Sequence, residues 1–252
     1  MSKLKSVYWD VDGTLADTEM EGHRVAFNTA FAEVGLTWDW DRSLYAKLLR
    51  VPGGAKRIQT YAHQQGMEID EMLLNQLRKL KQKKYIECIR SGNVPWRPGV
   101  RRLVNELQMH GVQQWVVTSS GRDSVKALLE VSFPNGDVPF QGLITAEDVA
   151  HGKPDPEGYL QALTLSGTDK AEAIVIEDST LGLAAANAAN LACLLTPSPW
   201  DLELKSQCRQ ARASLDHLGE NTLPCTVMVG PPCLKGFVTL EYLQQLISMA
   251  RP

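Results

Sequence analysis

VYWDVDGTLADTE, residues 7 to 19, decides how the rest of the chain is read. It climbs as an apolar, aromatic run, then places carboxylates at Asp10 and Asp12 with Gly13 directly behind them. A run of that kind makes a buried strand, and an unpaired carboxylate at the end of one is expensive. Two residues apart on an ideal strand, Asp10 and Asp12 face the same side, and keeping both ionised takes a cation or a shared proton. Taken alone, the stretch also fits a pair of Asx turns or helix caps leading into Gly13-Thr14, and the downstream motifs decide between the two.

Short β-branched runs recur at Ser6 to Trp9, Trp115 to Thr118, Leu143 to Thr145, Ala173 to Ile176 and Leu191 to Thr196. Helical pattern separates most of them: Val100 to His110 after Arg97-Pro98-Gly99, Ser124 to Val131 after Gly121, and the alanine-rich Ser179 to Ala189. This alternation predicts an α/β fold built on a parallel, Rossmann-like sheet. From about Thr18 to Pro95 there is no strand pattern, only helical periodicity broken at Gly35, Pro52-Gly53-Gly54 and Gly66. An inserted helical domain is expected there, giving a core from residues 1–17 and 96–252 and an α-helical cap over 18–95. The tail adds strand-like runs at Ala213 to Asp216 and Cys225 to Val229 and a helix at Leu240 to Ile247, none with a functional reading.

Composition narrows the function classes. A chain of 252 residues with 44% apolar and 22% charged residues is an ordinary globular protein with a sizeable core. The net charge of -3, with acids and bases interspersed, lacks the basic footprint that nucleic acid requires. No apolar stretch reaches membrane-spanning length and Met1 to Val7 has no leader core, so a cytoplasmic protein is expected, or a stromal one in a plant-type source. Five cysteines without a CxxC pair argue against a disulfide framework and a zinc site. Cys225 and Cys233 flank Gly230-Pro231-Pro232 and read either as a redox pair or, preferably, as unrelated thiols. The basic run RKLKQKKY, Arg78 to Tyr85, is by default a solvated helix face.

Chemistry gathers where the strands end, which is where open α/β sheets bind ligands. VVTSSGR places Thr118, Ser119 and Ser120 at the second strand's tip, with Gly121 opening a helix; hydroxyls and amides there suit phosphate oxygens or, more simply, a helix cap. GKPDPEGY holds Lys153 between Gly152 and Pro154, a stiff turn that restrains a cation near the strand ends. VIEDS ends in Glu177 and Asp178, which suit a hard divalent ion or compensate the helix dipole behind them. Each signal alone has a bland alternative. All four in this order do not.

The set DVDGT, VVTSS, GKPDP and IEDS resembles the four ordered motifs of the haloacid dehalogenase superfamily, over nearly the whole chain. The insertion after the first motif resembles the cap of the β-phosphoglucomutase-like branch. Within it DTEMEGHRVAFNTAF, TWDWDRSLYAKLL and Gly53 to Arg57 resemble CbbY-type phosphatases, which dephosphorylate xylulose 1,5-bisphosphate, an inhibitor of Rubisco in the Calvin cycle. The resemblance implies Asp10 as nucleophile, forming an aspartyl-phosphate, and Asp12 as general acid and then base, with Thr118 and Lys153 completing the catalytic set. It implies Mg2+ on Asp10, Asp12 (through its carbonyl), Asp178 and Glu177, with Glu177 as ligand or neighbour. Thr118, Ser119 and Ser120 would meet phosphoryl oxygens, Glu19 the sugar hydroxyls, and Gly53, Gly54 and Arg57 a second phosphate, with His23 and Arg24 as neighbours. His23 is more simply a packed helix residue.

One departure concerns substrate. CbbY-type caps carry GGKER, whereas here Ala55-Lys56-Arg57 follow Gly53-Gly54, so the lysine is rotated by about 100° on a helix and is expected to point away from the ligand. Lys81 or Lys83 would compensate. The resemblance thus implies a magnesium-dependent sugar-phosphate phosphatase acting as a monomer on a small phosphosugar. A phosphomutase of the β-phosphoglucomutase type, a phosphatase for another small phosphosugar and a non-catalytic phosphosugar-binding protein are the alternatives. In the first reading Asp10 stays ionised against the cation while Asp12 carries a proton.

Overall fold

The computed structural model describes residues 3–51, 53–198, 200, 204 and 207–249. Among them seven strands form one sheet in the order β3-β2-β1-β4-β5-β6-β7: β1 (Ser6–Trp9), β2 (Gln113–Val117), β3 (Gly142–Ile144), β4 (Ala173–Glu177), β5 (Ala192–Leu195), β6 (Ala213–Leu215) and β7 (Val227–Val229). β1 to β6 run parallel and β7 is antiparallel to β6. The chain leaves β1 towards β2 and β3, then crosses back to β4, so the order reverses between β1 and β4, and a crevice opens beyond their carboxyl ends. β1 and β4 are buried along their whole length, which is why neither alternates in sequence. Val7 and Trp9 enter one core layer and Tyr8 the other.

The expected strands are present with shifted ends. β2 begins at Gln113 rather than Trp115 because the fully buried Gln114 is satisfied: its Oε1 accepts from Trp9 Nε1 at 3.1 Å and its Nε2 donates to the Val104 carbonyl at 3.0 Å. A polar residue whose amide is fully bonded costs little inside a sheet.

Four helices, α1 (Arg24–Glu33), α2 (Arg42–Leu48), α3 (Gly54–Gln64) and α4 (Glu71–Arg90), fill the insertion, and no strand occurs among the described residues from 18 to 95. They share a core of their own around Phe27, Phe31, Trp40, Tyr45, Ile58 and Leu77. The two linkers to this unit pair with each other: Asp17 N–H donates to Pro95 O at 2.9 Å, Arg97 N–H to Leu15 O at 2.9 Å, and Ala16 bridges Trp96. Gln82 of α4 reaches the remainder of the chain, donating to Ser124 Oγ at 2.8 Å.

After the insertion come α5 (Val100–Met109), α6 (Arg122–Ser132), α7 (Glu157–Ser166), α8 (Thr180–Ala188) and α9 (Leu240–Ser248). α7 is absent from the sequence-based expectation, although Pro156 at its entry and the inward spacing of Tyr159, Ala162 and Leu163 signal a helix. The tail is no appendage: β6 and β7 extend the sheet, and Leu243 and Leu246 of α9 share a core layer with Val7 and Trp9. Among the described residues no helix is long and apolar enough to cross a membrane.

Candidate active site

β1 stops at Trp9, and the residues after it make a closed turn. Asp10 N–H still reaches across to Ile176 O at 3.1 Å. The amides of Thr14, Leu15 and Ala16 then converge on the Val11 carbonyl at 3.2, 3.0 and 3.2 Å, and Gly13 N–H returns to Ala16 O at 2.9 Å. Asp12 therefore sits in a turn, not on the strand, and the same-face expectation gives way to two carboxylates with separate partners. Gly13 is required twice: its φ is +85°, and a Cβ there would fall 2.1 Å from Asp178 Oδ2.

Asp10 belongs to a buried cluster below the crevice. Lys153 Nζ donates to Asp10 Oδ1 and to Glu177 Oε1, both at 2.6 Å, and to Val117 O at 3.0 Å. Tyr159 sets this lysine from behind, its hydroxyl donating to the same Glu177 Oε1 at 2.8 Å and its ring centroid 5.3 Å from Nζ. Glu177 Oε2 accepts from Asp178 N–H at 3.0 Å and from Ser179 Oγ at 3.1 Å. Gly182 on α8 leaves room for this carboxyl, since a Cβ there would lie 1.9 Å from it. Burial pulls the Lys153 ammonium down, but the Asp10 and Glu177 carboxylates more than offset it and its pKa is raised. Burial raises Asp10, opposed by Lys153 and reinforced by Glu177 and Asp12, and it raises Asp178 well above the usual carboxylate range with help from Asp10 and Glu177.

Asp12 faces the helical insertion. Ser120 Oγ donates to its Oδ2, Tyr85 O–H to its Oδ1 at 3.2 Å, and His23 Nε2 lies 3.5 Å from Oδ1. Burial alone would push this carboxyl up; hydrogen bonding and charge from His23, then Ser120, outweigh it and hold the pKa below the ordinary value. The asymmetry is thus the reverse of the one expected, Asp10 raised and Asp12 lowered, because Asp10 is crowded by acids while Asp12 is surrounded by donors. A ligand that drew His23 away would leave burial to return a proton to Asp12.

His23, expected to be a packed helix residue, lies at the centre of this face. It stacks on Tyr85 at 3.8 Å between centroids, and its Nδ1 is 2.8 Å from Lys81 Nζ. A π-helical turn over Glu19–His23 brings both its end residues inward. Glu19 accepts from Tyr45 O–H at 2.8 Å, and Tyr45 in turn accepts from Arg57 Nη1 at 3.0 Å. Arg57, expected to frame a second phosphate, is buried with Nε on Leu48 O at 3.0 Å, so it holds Tyr45 and hence Glu19. Ser120, expected on a phosphoryl group, is engaged by Asp12. Thr118 Oγ1 accepts from Ser120 N–H at 3.1 Å, and Thr118, Ser119 and Lys153 line a cavity of about 220 Å³ at the sheet's edge.

A wider recess of about 860 Å³ opens between α3 and α4, lined by Gly53, Gly54, Lys56, Arg78, Lys79 and Lys81 among others. Lys56 is among the residues on its wall, across from Arg78, Lys79 and Lys81 of α4. Lys83 is not among the lining residues. Lys81 lies 5.1 and 5.0 Å from the rings of Phe27 and Tyr85, and burial pulls its ammonium down to about 8, against the pull of Glu19 and Asp12.

The crevice has the chemistry of a hard-cation site. One carboxylate oxygen each from Asp10, Glu177 and Asp178 lie within 4.8 Å of one another, and all three residues are buried. Because both Glu177 oxygens are already bonded, Asp10 and Asp178 are the carboxylates left to a cation; oxygen donors of this kind suit Mg2+. Such a fit is also what the raised carboxyls call for, since a cation offsets their mutual repulsion.

Comparison with known proteins fits this arrangement. Residues 7–196 match the family model for haloacid dehalogenase-like hydrolases. Protein CbbY of Rhodobacter capsulatus is 40% identical over 200 residues, spanning 79% of this chain and 87% of that protein. The plasmid-borne CbbY of Cupriavidus necator is 35% identical over 228 residues, 88% of each chain. The crystal structure of a CbbY mutant from Rhodobacter sphaeroides in complex with xylulose 1,5-bisphosphate superposes with a TM-score of 0.75 at 30% identity, covering 86% of this chain and 96% of that one. With a matching family model, relatives of nearly full length and a buried acid cluster at the switch point of the sheet, the chain belongs to the haloacid dehalogenase-like hydrolases and is a phosphatase.

Proposed function

We propose that the chain is a magnesium-dependent phosphatase that removes one phosphate from xylulose 1,5-bisphosphate through an aspartyl-phosphate on Asp10, leaving xylulose 5-phosphate. The observation that carries this reading is the division between the two aspartates: Asp10 lies on Lys153 beside Asp178, and Asp12 faces the helical insertion through Ser120, Tyr85 and His23. An Asp10 oxygen attacks phosphorus as the bond to the sugar oxygen breaks, and Asp12, protonated once the bound substrate has drawn His23 away, delivers that proton to the sugar oxygen. Asp12 then takes a proton from water, whose oxygen attacks the phosphorus and frees Asp10 and inorganic phosphate. Lys153 offsets charge on Asp10 and the phosphoryl oxygens, and the Thr118 and Ser119 segment orients them. Magnesium held by Asp10, Asp178 and the Asp12 carbonyl would neutralise charge on the phosphoryl oxygens.

Two further features support a bisphosphate. The basic recess of Lys56, Arg78, Lys79 and Lys81 offers cations for a second anionic group, and Glu19, fixed by Tyr45, offers a carboxylate to sugar hydroxyls. A solved CbbY relative carries xylulose 1,5-bisphosphate. The test is a panel of phosphosugars, with and without Mg2+, scored for released phosphate and for isomers. Xylulose 1,5-bisphosphate is expected to give phosphate and no isomer, only with Mg2+. Turnover of β-glucose 1-phosphate to an isomer, with the bisphosphate untouched, would replace this reading with a mutase.

A further inference from the structure

Arg97 stands where the second linker rejoins the core, and its guanidinium ties together segments that are remote in sequence. Nη1 donates to the Gly13 carbonyl, to Thr196 O at 2.6 Å and to Thr196 Oγ1 at 3.3 Å. Nη2 donates to Asp216 O at 2.9 Å and Pro197 O at 3.4 Å. One side chain thus holds main-chain carbonyls from the turn after β1, the loop after β5 and the loop after β6. Only a planar fork with several fixed donors does this; a lysine presents its donors from a single nitrogen.

The carbonyl at Gly13 is the informative contact. The amides of Gly13, Thr14, Leu15 and Ala16 all close within that turn, on Ala16 or Val11, whereas the Gly13 carbonyl is held from outside it by Arg97. Gly13 also packs against Asp178 closely enough that a Cβ would lie 2.1 Å from Oδ2, and Thr14 Oγ1 is 3.5 Å from Asp178 Oδ1. A shift of the Gly13 peptide therefore moves the wall against which Asp178 is placed. At the same residue, the Arg97 amide bonds Leu15 O, inside the paired linkers of the helical insertion.

We propose that Arg97 is a positioning residue that fixes the cation-holding face of Gly13 and Asp178 by clamping the Gly13 carbonyl to the loops after β5 and β6, and joins that face to the linkers of the helical insertion. This inference rests on Asp10 and Asp178 holding a cation. It gives the tail a role the sequence did not show, because Asp216, just after β6, completes the clamp.

Charge and geometry act in opposite directions here, which makes the test directional. Removing a positive charge beside the site strengthens cation binding, whereas loosening the clamp weakens it. The experiment is titration of Mg2+ alone into the wild type, Arg97→Lys and Arg97→Gln by calorimetry, below their melting temperatures, with far-UV circular dichroism to confirm folding. Both variants, including the one that keeps the charge, are expected to bind Mg2+ about tenfold or more weakly, the size typical for loss of an outer support of a metal ligand. At saturating Mg2+ the turnover number should recover to within about threefold of wild type, since no reacting group is altered. Wild-type affinity in Arg97→Lys, or tighter binding in Arg97→Gln, would overturn the proposal. Should the variants not fold, hydrogen exchange of the wild type decides: Mg2+ should slow exchange across residues 95–98 and 213–218, and protection confined to 10–14 and 177–180 would overturn it. A wild type that does not bind Mg2+ would remove the cation reading itself, and this inference with it.

Discussion

Tyr159→Phe removes one oxygen atom from behind the catalytic cluster, and the structure sets the size of its effect. The hydroxyl donates to Glu177 Oε1 at 2.8 Å, and both residues are buried. A hydrogen bond to a charged group contributes about 1.5–3 kcal/mol. Because Oε1 keeps Lys153 at 2.6 Å, the carboxylate is not orphaned, and the loss falls at the lower end, about 1.5 kcal/mol. For a chain of this size that lowers the melting temperature by roughly 3–6 °C. Lys153 retains Asp10, Val117 O and the aromatic face of residue 159, so the turnover number should fall less than about tenfold. Lys153→Met, by contrast, removes the cation itself and should cost on the order of a thousandfold. Thermal melts by circular dichroism and steady-state kinetics with p-nitrophenyl phosphate give both numbers. A melting temperature within about 1 °C of wild type would refute the view that the phenol holds Glu177, and with it the description of how Lys153 is fixed.

Gly13→Ala should abolish the rise in melting temperature on adding Mg2+, since the new Cβ meets Asp178 Oδ2 at 2.1 Å on a backbone with φ +85°; an undiminished rise would contradict the close approach. Gly182→Ala drives a Cβ to 1.9 Å from the Glu177 carboxyl and should lower stability by about 1–3 kcal/mol, as overpacking does, read from urea unfolding; no loss would show that Glu177 has room to move. Burial lowers Lys81 to about 8 from its ordinary 10.5. As pH rises between these values the folded chain has released a proton that the unfolded chain still binds, so Lys81 contributes increasing stability over that window, while its charge towards an anionic ligand is lost. The Michaelis constant for the bisphosphate should therefore rise above pH 8 in the wild type and stay flat in Lys81→Arg; identical profiles would remove Lys81 from the binding face.

The parts legible in sequence share one property: their signals are local. Asp10, Thr118 and Glu177-Asp178 come directly at the ends of apolar strands, and Lys153, in the loop between β3 and α7, is marked by the Gly152 and Pro154 that flank it. Residues that act across the fold leave no such trace. Tyr85 reaches Asp12 from 73 positions away, and Arg97 reaches Thr196 from 99. Neither a tyrosine on a helix nor an arginine before a proline signals such a role. Arg57 and Lys56 show the limit from another direction. The sequence supplies their relative rotation on α3, but which of them faces the recess depends on where α4 packs, and that is tertiary. Gln114 makes the same point inside the sheet, where satisfaction of its amide by Trp9 and Val104 overrode its poor fit to a strand.

The most direct test of the central claim is rapid acid quench of the enzyme turning over xylulose 1,5-bisphosphate with Mg2+, followed by mass analysis of the peptide that contains Asp10 and Asp12. A phosphoryl group on Asp10, lost with kinetics matching phosphate release and absent from Asp10→Asn, is the expected result. Full phosphate release by Asp10→Asn, or turnover without any phosphorylated aspartate in wild type, would contradict it.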